Sequence, residues 1–180
     1  DQVFSGMKDS AIVGQLIVPS VGKHGKSDEH VFKLAEKGLI GGVLLLNGNV
    51  ASFQNYVHKF DSITAANGFL PPIYSADAEP TLIKYKIKNT TPVPKTNQIK
   101  TDSQVVAVAQ IISNDLNNIG ITQNFAPVID AAPNKVVSNR SFGLNMDTVI
   151  NFSNAFINTT QQNNIIATAK HFPGHGYVVG

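Results

Sequence analysis

The sequence predicts an α/β fold in which parallel strands alternate with helices, arranged as roughly the first five βα units of a (β/α)8 barrel. Three observations predict it. Apolar runs that are rich in Val, Ile and Leu and lack polar alternation recur five times, the pattern of strands covered on both faces. Stretches with apolar residues at helical spacing separate them, so the order is βαβαβαβαβ and a parallel sheet with helices outside it follows. Finally, Asn47, Asp77, Asp130 and the Lys170–His171 pair stand at successive strand C-termini. Barrel enzymes collect site residues there from many strands, whereas a Rossmann-type sheet concentrates its signal in one Gly-rich turn.

The strands are read at "GQLIVPS" (14–20), "GGVLLLN" (41–47), "PPIYSAD" (71–77), "ITQNFAPVID" (121–130) and "IIATAKHF" (165–172). The helix after the first strand, "SDEHVFKLAEKG", has the N-cap candidate Ser27, with Asp28 and Glu29 where the helix dipole favours acids, and ends at Gly38. The segments 51–68 and 102–120 end in the same way at Gly68 and Gly120, and a fourth helical pattern covers 145–164. The stretch 79–101, "EPTLIKYKIKNTTPVPKTNQIKT", reads as one long irregular loop, and loops of that length in compact domains are usually functional or mobile. A complete barrel needs about 250 residues. The 180 residues are therefore expected to form a partial barrel domain, with the remaining βα units after Gly180.

Composition narrows the function classes. A hydrophobic share of 42% in 180 residues supports a buried core. The net charge of +2 comes from scattered Lys, which points to neither nucleic acid nor an anionic membrane as partner. With no Cys, disulfides, thiolate catalysis and Cys-based zinc sites are excluded, and both the bacterial cytoplasm and an exported location stay open. No stretch approaches the ~20 apolar residues of a membrane span.

The chemistry-bearing motifs lie at the strand ends. In "KHFPGHG" (170–176) the two His are four apart, but Pro173 and Gly174 forbid the helix that would turn both toward a metal, so no metal site is expected. Lys170 at the end of a buried strand is costly without a partner, which favours a polar pocket over a surface lysine. In "SADAE" Asp77 and Glu79 are two apart and can point the same way on an extended chain; an acidic loop start capping local amides is the competing reading. Arg140 in "NRSFG" carries a planar fork suited to carboxylates or sugar hydroxyls, or is an ordinary surface arginine. "SVGKHGKS" (20–27) nearly spells a phosphate-binding P-loop, but Ser20 stands where the first glycine belongs.

Taken together, "GGVLLLNGN", "SADAE", "TPVP", "IGITQNFAPVID", "NRSFG" and "AKHFPGHG" resemble, in order and approximate spacing, glycoside hydrolase family 3, and most of all its exo-β-N-acetylglucosaminidase branch. The resemblance implies a TIM-like catalytic barrel and a retaining exo-glycosidase that removes terminal β-N-acetylglucosamine from peptidoglycan fragments or chitooligosaccharides. It implies no cofactor. By matching motif, Asp77, Arg140, Lys170 and His171 are the residues that hold the terminal sugar through its hydroxyls. The acid/base His, with its assisting Asp, and the nucleophilic Asp are expected after Gly180. Two departures stand out. Where the branch usually reads D-Q-E-G-G-R this chain has "DAEPTL", with Leu82 in the place of an Arg, and where D-T usually follows "GHG" it has "YV". A member that binds sugar without cleaving it is therefore the alternative, and a P-loop-like nucleotide-binding enzyme a remoter one.

Overall fold

The structure, a computed structural model, describes residues 5–131 and 134–176. In chain order its elements are α1 (Asp9–Gly14), β1 (Ser20–Val21), α2 (Asp28–Glu36), β2 (Gly42–Leu45), β3 (Gly48–Asn49), α3 (Val50–Ala66) and β4 (Ile73–Ala76). There follow α4 (Ile83–Lys86), β5 (Ile87–Lys88), α5 (Asp102–Ile119), β6 (Gln123–Asn124), α6 (Met146–Gln162) and β7 (Ile166–Ala167), with short 3-10 turns at Thr96–Gln98 and Ser138–Arg140. Five strands form one parallel sheet in the order β1-β2-β4-β6-β7, so each new strand is laid beside the last, as in a barrel wall. A small parallel pair, β3 with β5, sits beyond the ends of β2 and β4.

The helices start and stop where local chemistry says they should. Ser27, Asn49, Thr101 and Asn145 each accept a hydrogen bond from a first-turn N–H, and at Asn49 the bond is reciprocated by Ser52. Helix α5 ends on Gly120 at φ 93°, packed against Val57 of α3. The apolar stripe of α3 (Phe53, Val57, Phe60, Ile63) and that of α5 (Val105, Val108, Ala109, Ile112, Leu116, Ile119) are buried in one core with the outward side chains of the strands.

The sheet has two different faces. Residues paired in register share a face, which puts Val43, Leu45, Tyr74 and Ala76 against the helices, where all four are buried. There Tyr74 donates through its hydroxyl to Asp61 Oδ1 of α3 at 2.7 Å, and burial followed by that contact pushes the phenol well above its ordinary range. The other face carries Leu44, Ile73, Ser75, Gln123 and Ile166. A polar ladder crosses it, with Ser75 Oγ to Gln123 Oε1 at 2.7 Å and Gln123 Nε2 to Thr168 Oγ1 at 3.1 Å, while Ile73 and Ile166 remain about half exposed. Helices outside and a mixed, open lining inside describe the wall of a TIM-like barrel.

Two expectations need correction. "GQLIVPS" is not a strand along its length: α1 and its turn run through Leu16, which is 83% exposed, and the strand begins only at Ser20. Its apolar run borders the sheet through Gly41 N–H to Ile17 O and Leu44 N–H to Pro19 O rather than forming a ladder along its whole length. The segment 79–101 is not an irregular loop either. It contains α4, β5 and a 3-10 turn, and is anchored by the buried side chains of Ile83, Ile87 and Ile99. "SVGKHGKS" folds into a tight turn in which three amides are taken by backbone carbonyls, Gly25 N–H by Gly22 O, Lys26 N–H by Ser20 O and Lys23 N–H by Asn47 O, which leaves these three unavailable to cradle a phosphate.

Gly68 and Gly120 allow a test of helix termination. Both have positive φ, but an added Cβ at Gly68 meets nothing within 4 Å, while at Gly120 it lies 2.9 Å from Val57 Cγ1. Gly68→Ala should cost about 1 kcal/mol, the left-handed backbone penalty alone, and Gly120→Ala about 1–2 kcal/mol more. Urea unfolding midpoints of the two variants measure the difference.

Candidate functional site

The site grows from the end of β4. Continuing its alternation beyond Ile73 and Ser75 puts Asp77 on the inner face, and the chain runs on through Ala78 and Glu79 into a turn at 80–82. Asn124, wholly buried at the end of β6, grips this stretch from the neighbouring strand: Ala78 N–H donates to Asn124 Oδ1 at 3.1 Å, and Asn124 Nδ2 donates to Ala78 O at 3.2 Å. Both backbone groups are satisfied without water, so the direction of the two carboxylates is fixed by a side chain one strand away.

Glu79 is wholly buried, and two cations account for that. Arg140 clasps it bidentately, Nε to Oε1 at 3.1 Å and Oε2 at 3.0 Å and Nη2 to Oε1 at 2.7 Å, while Lys170 Nζ lies 3.1 Å from Oε1. Lys170 also donates to Asp77 Oδ1, so two carboxylates and two cations form one charge-balanced cluster drawn from β4, the 138–140 turn and the end of β7. The Glu79 hydrogen bonds, opposed by burial, raise the Arg140 pKa further and keep it charged. The turn that delivers Arg140 is pinned through Thr81, whose hydroxyl donates to Asn139 O at 2.9 Å and contacts Thr96 Oγ1 at 3.0 Å.

Beyond β6 the sheet continues as an isolated Val128–Lys170 bridge, with Lys170 N–H on Pro127 O and Ile129 N–H on Lys170 O. This pairing brings Asp130 beside His171. Asp130 Oδ2 accepts from the His171 backbone N–H at 3.1 Å and lies 2.8 Å from His171 Nδ1, and Oδ1 accepts from His175 N–H at 2.6 Å. Burial pushes the Asp130 carboxyl up, but the hydrogen bonds from the His171 side chain and the His175 backbone outweigh it, and the group sits below its ordinary 3.8.

All four residues singled out in the sequence meet here. Asp77, Arg140, Lys170 and His171 line one cavity of about 300 Å³ together with Leu44, Leu46, Phe125 and Thr168. Most of these linings are inner-face positions two apart on successive strands: Leu44 and Leu46, Gln123 then Phe125, Thr168 and Lys170. The cavity is the C-terminal mouth of the barrel wall. Asn47 also lies past a strand end, but not in this lining. Sequence reasoning missed Asn124, Thr81 and Thr96, and gave Glu79 no partner. A polar residue one position past "ITQ" inside an apolar strand was the available signal for Asn124. Nothing local marked the two threonines.

Glu79→Gln leaves Arg140 and Lys170 facing a neutral group inside the protein. We expect a loss of about 3–5 kcal/mol in stability by urea unfolding, against less than half of that for exposed Glu29→Gln, whose partner Lys33 is solvated. The depressed Asp130 pKa sets a pH dependence. Its stabilisation is complete above the ordinary value of 3.8 and is lost as pH falls through the lower folded value. Unfolding midpoints should fall below about pH 4, less steeply in Asp130→Asn.

Comparison with known proteins agrees with this geometry. Residues 10–180 match the profile of the glycosyl hydrolase family 3 N terminal domain. The beta-hexosaminidase LpqI of Mycobacterium tuberculosis is 31% identical over 144 residues, covering 76% of this chain and 37% of LpqI. A beta-hexosaminidase of Xanthomonas campestris pv. campestris is 35% identical over 78 residues, 43% of this chain and 24% of that protein. Among solved structures, a glycoside hydrolase family 3 beta-N-acetylglucosaminidase from Paenibacillus sp. superposes with a TM-score of 0.84 at 26% identity, covering 96% of this chain and 34% of that one. NagZ from Neisseria gonorrhoeae has the same fold, with a TM-score of 0.76 at 22% identity over 91% of this chain and 52% of its own. The chain thus spans little more than a third of the LpqI length. Its profile match across nearly every residue and the convergence of "SADAE", "NRSFG" and "KHFPGHG" on one cavity have the same meaning: the chain belongs to glycoside hydrolase family 3, as its N-terminal domain.

Proposed function

We propose that this chain is the sugar-holding part of a retaining exo-β-N-acetylglucosaminidase acting on peptidoglycan fragments or chitooligosaccharides, with the rest of the barrel and both catalytic groups following Gly180. The observation that carries the proposal is the convergence of Asp77, Arg140, Lys170 and His171 on one small cavity at the barrel mouth. Sugar hydroxyls both donate and accept, and this cluster offers both functions side by side. Asp77 uses Oδ1 for Lys170 and keeps Oδ2 as an acceptor; the Arg140 clasp uses Nε and Nη2, leaving the Nη1 edge to donate. The volume is at the small end of ligand pockets, which suits a single terminal ring. The names of the relatives, beta-hexosaminidase and beta-N-acetylglucosaminidase, support the choice of sugar.

In this reading the cluster fixes the ring while a carboxylate from the later chain attacks the anomeric carbon and an acid protonates the leaving oxygen; water then releases the sugar from the covalent intermediate with the β configuration retained. These steps use carboxylates, an imidazole and water, and call for no metal or cofactor. Ion pairing among the four charges costs the pocket little flexibility on binding, since each side chain is already held.

The test is proton NMR of the anomeric signal while the full-length protein turns over a β-N-acetylglucosaminide. The β anomer should appear first, and initial α product refutes retention. Lys170→Ala removes a charge-assisted contact and should lower kcat/KM by roughly 10- to 150-fold. Sugar binding without turnover would instead assign the chain to a non-hydrolysing member, the reading that Leu82 in "DAEPTL" favours. The 180 residues alone should not hydrolyse the substrate.

A further inference from the structure

The turn "KHFPGHG" contains two imidazoles whose ring centroids are 5.3 Å apart, edge to face, and their surroundings fix where each proton sits. Asp130 is buried and, when ionised, can only accept, so all three groups within hydrogen-bond distance of it must donate. His171 Nδ1 therefore carries a hydrogen. His175 faces the opposite kind of partner. Asn134 Oδ1 accepts from the backbone N–H groups of Val136 at 2.8 Å and Val137 at 3.1 Å, which fixes its amide orientation. Its Nδ2, a donor only, then lies 3.2 Å from His175 Nδ1 and 2.9 Å from Gly176 O, so His175 Nδ1 accepts and its hydrogen is on Nε2.

We infer that the turn holds its two histidines in opposite tautomers, and that Asp130 is the positioning residue that makes His171 Nε2 a hydrogen-bond acceptor at the cavity. Resting on the reading of that cavity as a sugar pocket, His171 Nε2 accepts from a ring hydroxyl beside Lys170, which donates to one. The same carboxylate bonds the N–H groups of His171 and His175, so it sets both the ring's protonation and the path of the turn. Asp130 itself lines the neighbouring cavity of about 610 Å³ with His171 and Phe172, at the edge of the same mouth.

Long-range proton–nitrogen correlation spectra of the imidazoles test this in the full-length protein, at a pH where both rings are neutral and with no sugar present. His171→Gln and His175→Ala assign the signals; the second keeps its backbone N–H on Asp130. The expected result is Nδ1–H for His171 and Nε2–H for His175. In Asp130→Ala no acceptor faces Nδ1, so His171 should shift toward the Nε2–H form that a free neutral imidazole favours, with kcat/KM lowered roughly 10- to 100-fold and most of the change in KM. An Nε2–H signal for His171 in the unmutated protein overturns the inference. So does an unchanged His171 tautomer in Asp130→Ala, even with activity lost, since that marks a merely structural carboxylate. The spectra decide this whether or not the protein cleaves sugar, so failure of the glycosidase reading shows separately, as no turnover with the tautomers as stated.

Discussion

A carboxylate with no exposed surface is the constraint on which the site depends. Glu79 is buried at the barrel mouth, and its charge is tolerated only because Arg140 grips it with a planar fork and Lys170 caps one oxygen. It holds Arg140 directly and shares Lys170 with Asp77. Arg140 sits on a 3-10 turn with no regular element behind it, and Lys170 is a long flexible side chain at a strand end. An ion cluster of this kind adds little net stability compared with an apolar replacement, because removing four charges from water costs several kcal/mol per ion. What it contributes is a unique arrangement, with Asp77 and the Arg140 edge held in place at the cavity.

That cluster can form only because the sheet has two unlike faces. Outward side chains lock the helices on, and Tyr74 with its Asp61 contact joins the two kinds of element. Inward positions are freed from packing and change character along each strand, from Ile73 through Ser75 to Asp77 and from Ile166 through Thr168 to Lys170. The polar ladder of Ser75, Gln123 and Thr168 marks the transition, below the charged mouth. The packed core lies on one side and the candidate site on the other, as expected where each strand contributes one or two side chains to a shared site.

Short strands place a demand on cross-strand side chains. β6 has only two residues in its ladder, yet it aligns Asn124 with the turn after β4 and, after an interval, Asp130 with the turn after β7. Both are buried polar groups held from neighbouring loops, Asn124 by the Ala78 backbone and Asp130 by the backbone of His171 and His175 and by the His171 ring, which makes them rigid spacers between loops. The same logic applies to Thr81, which fastens the turn carrying Arg140 to the segment after β5.

The sequence by itself determined the βα alternation, the helix boundaries at Ser27, Gly68 and Gly120, and the strand-end residues of the cavity, because these depend on periodicity, capping chemistry and the parity of a strand. The family resemblance was legible separately, carried by compact motifs rather than by periodicity. The extent of the first strand was not: "GQLIVPS" has strand composition, but its apolar run lies at the exposed end of the sheet and pairs only through a few carbonyls. The segment 79–101 looked irregular because its order comes from Ile83, Ile87 and Ile99 packing against the core and from a two-residue pairing with β3. Only tertiary structure decided that Glu79, and not a ligand, occupies most of the Arg140 fork, that Asn124 and Thr81 position the turns, and that Asp130 and Asn134 give the two histidines opposite partners. Those contacts join residues 15 to 61 positions apart, and hydrogen bonds over such separations leave no periodic trace in a chain.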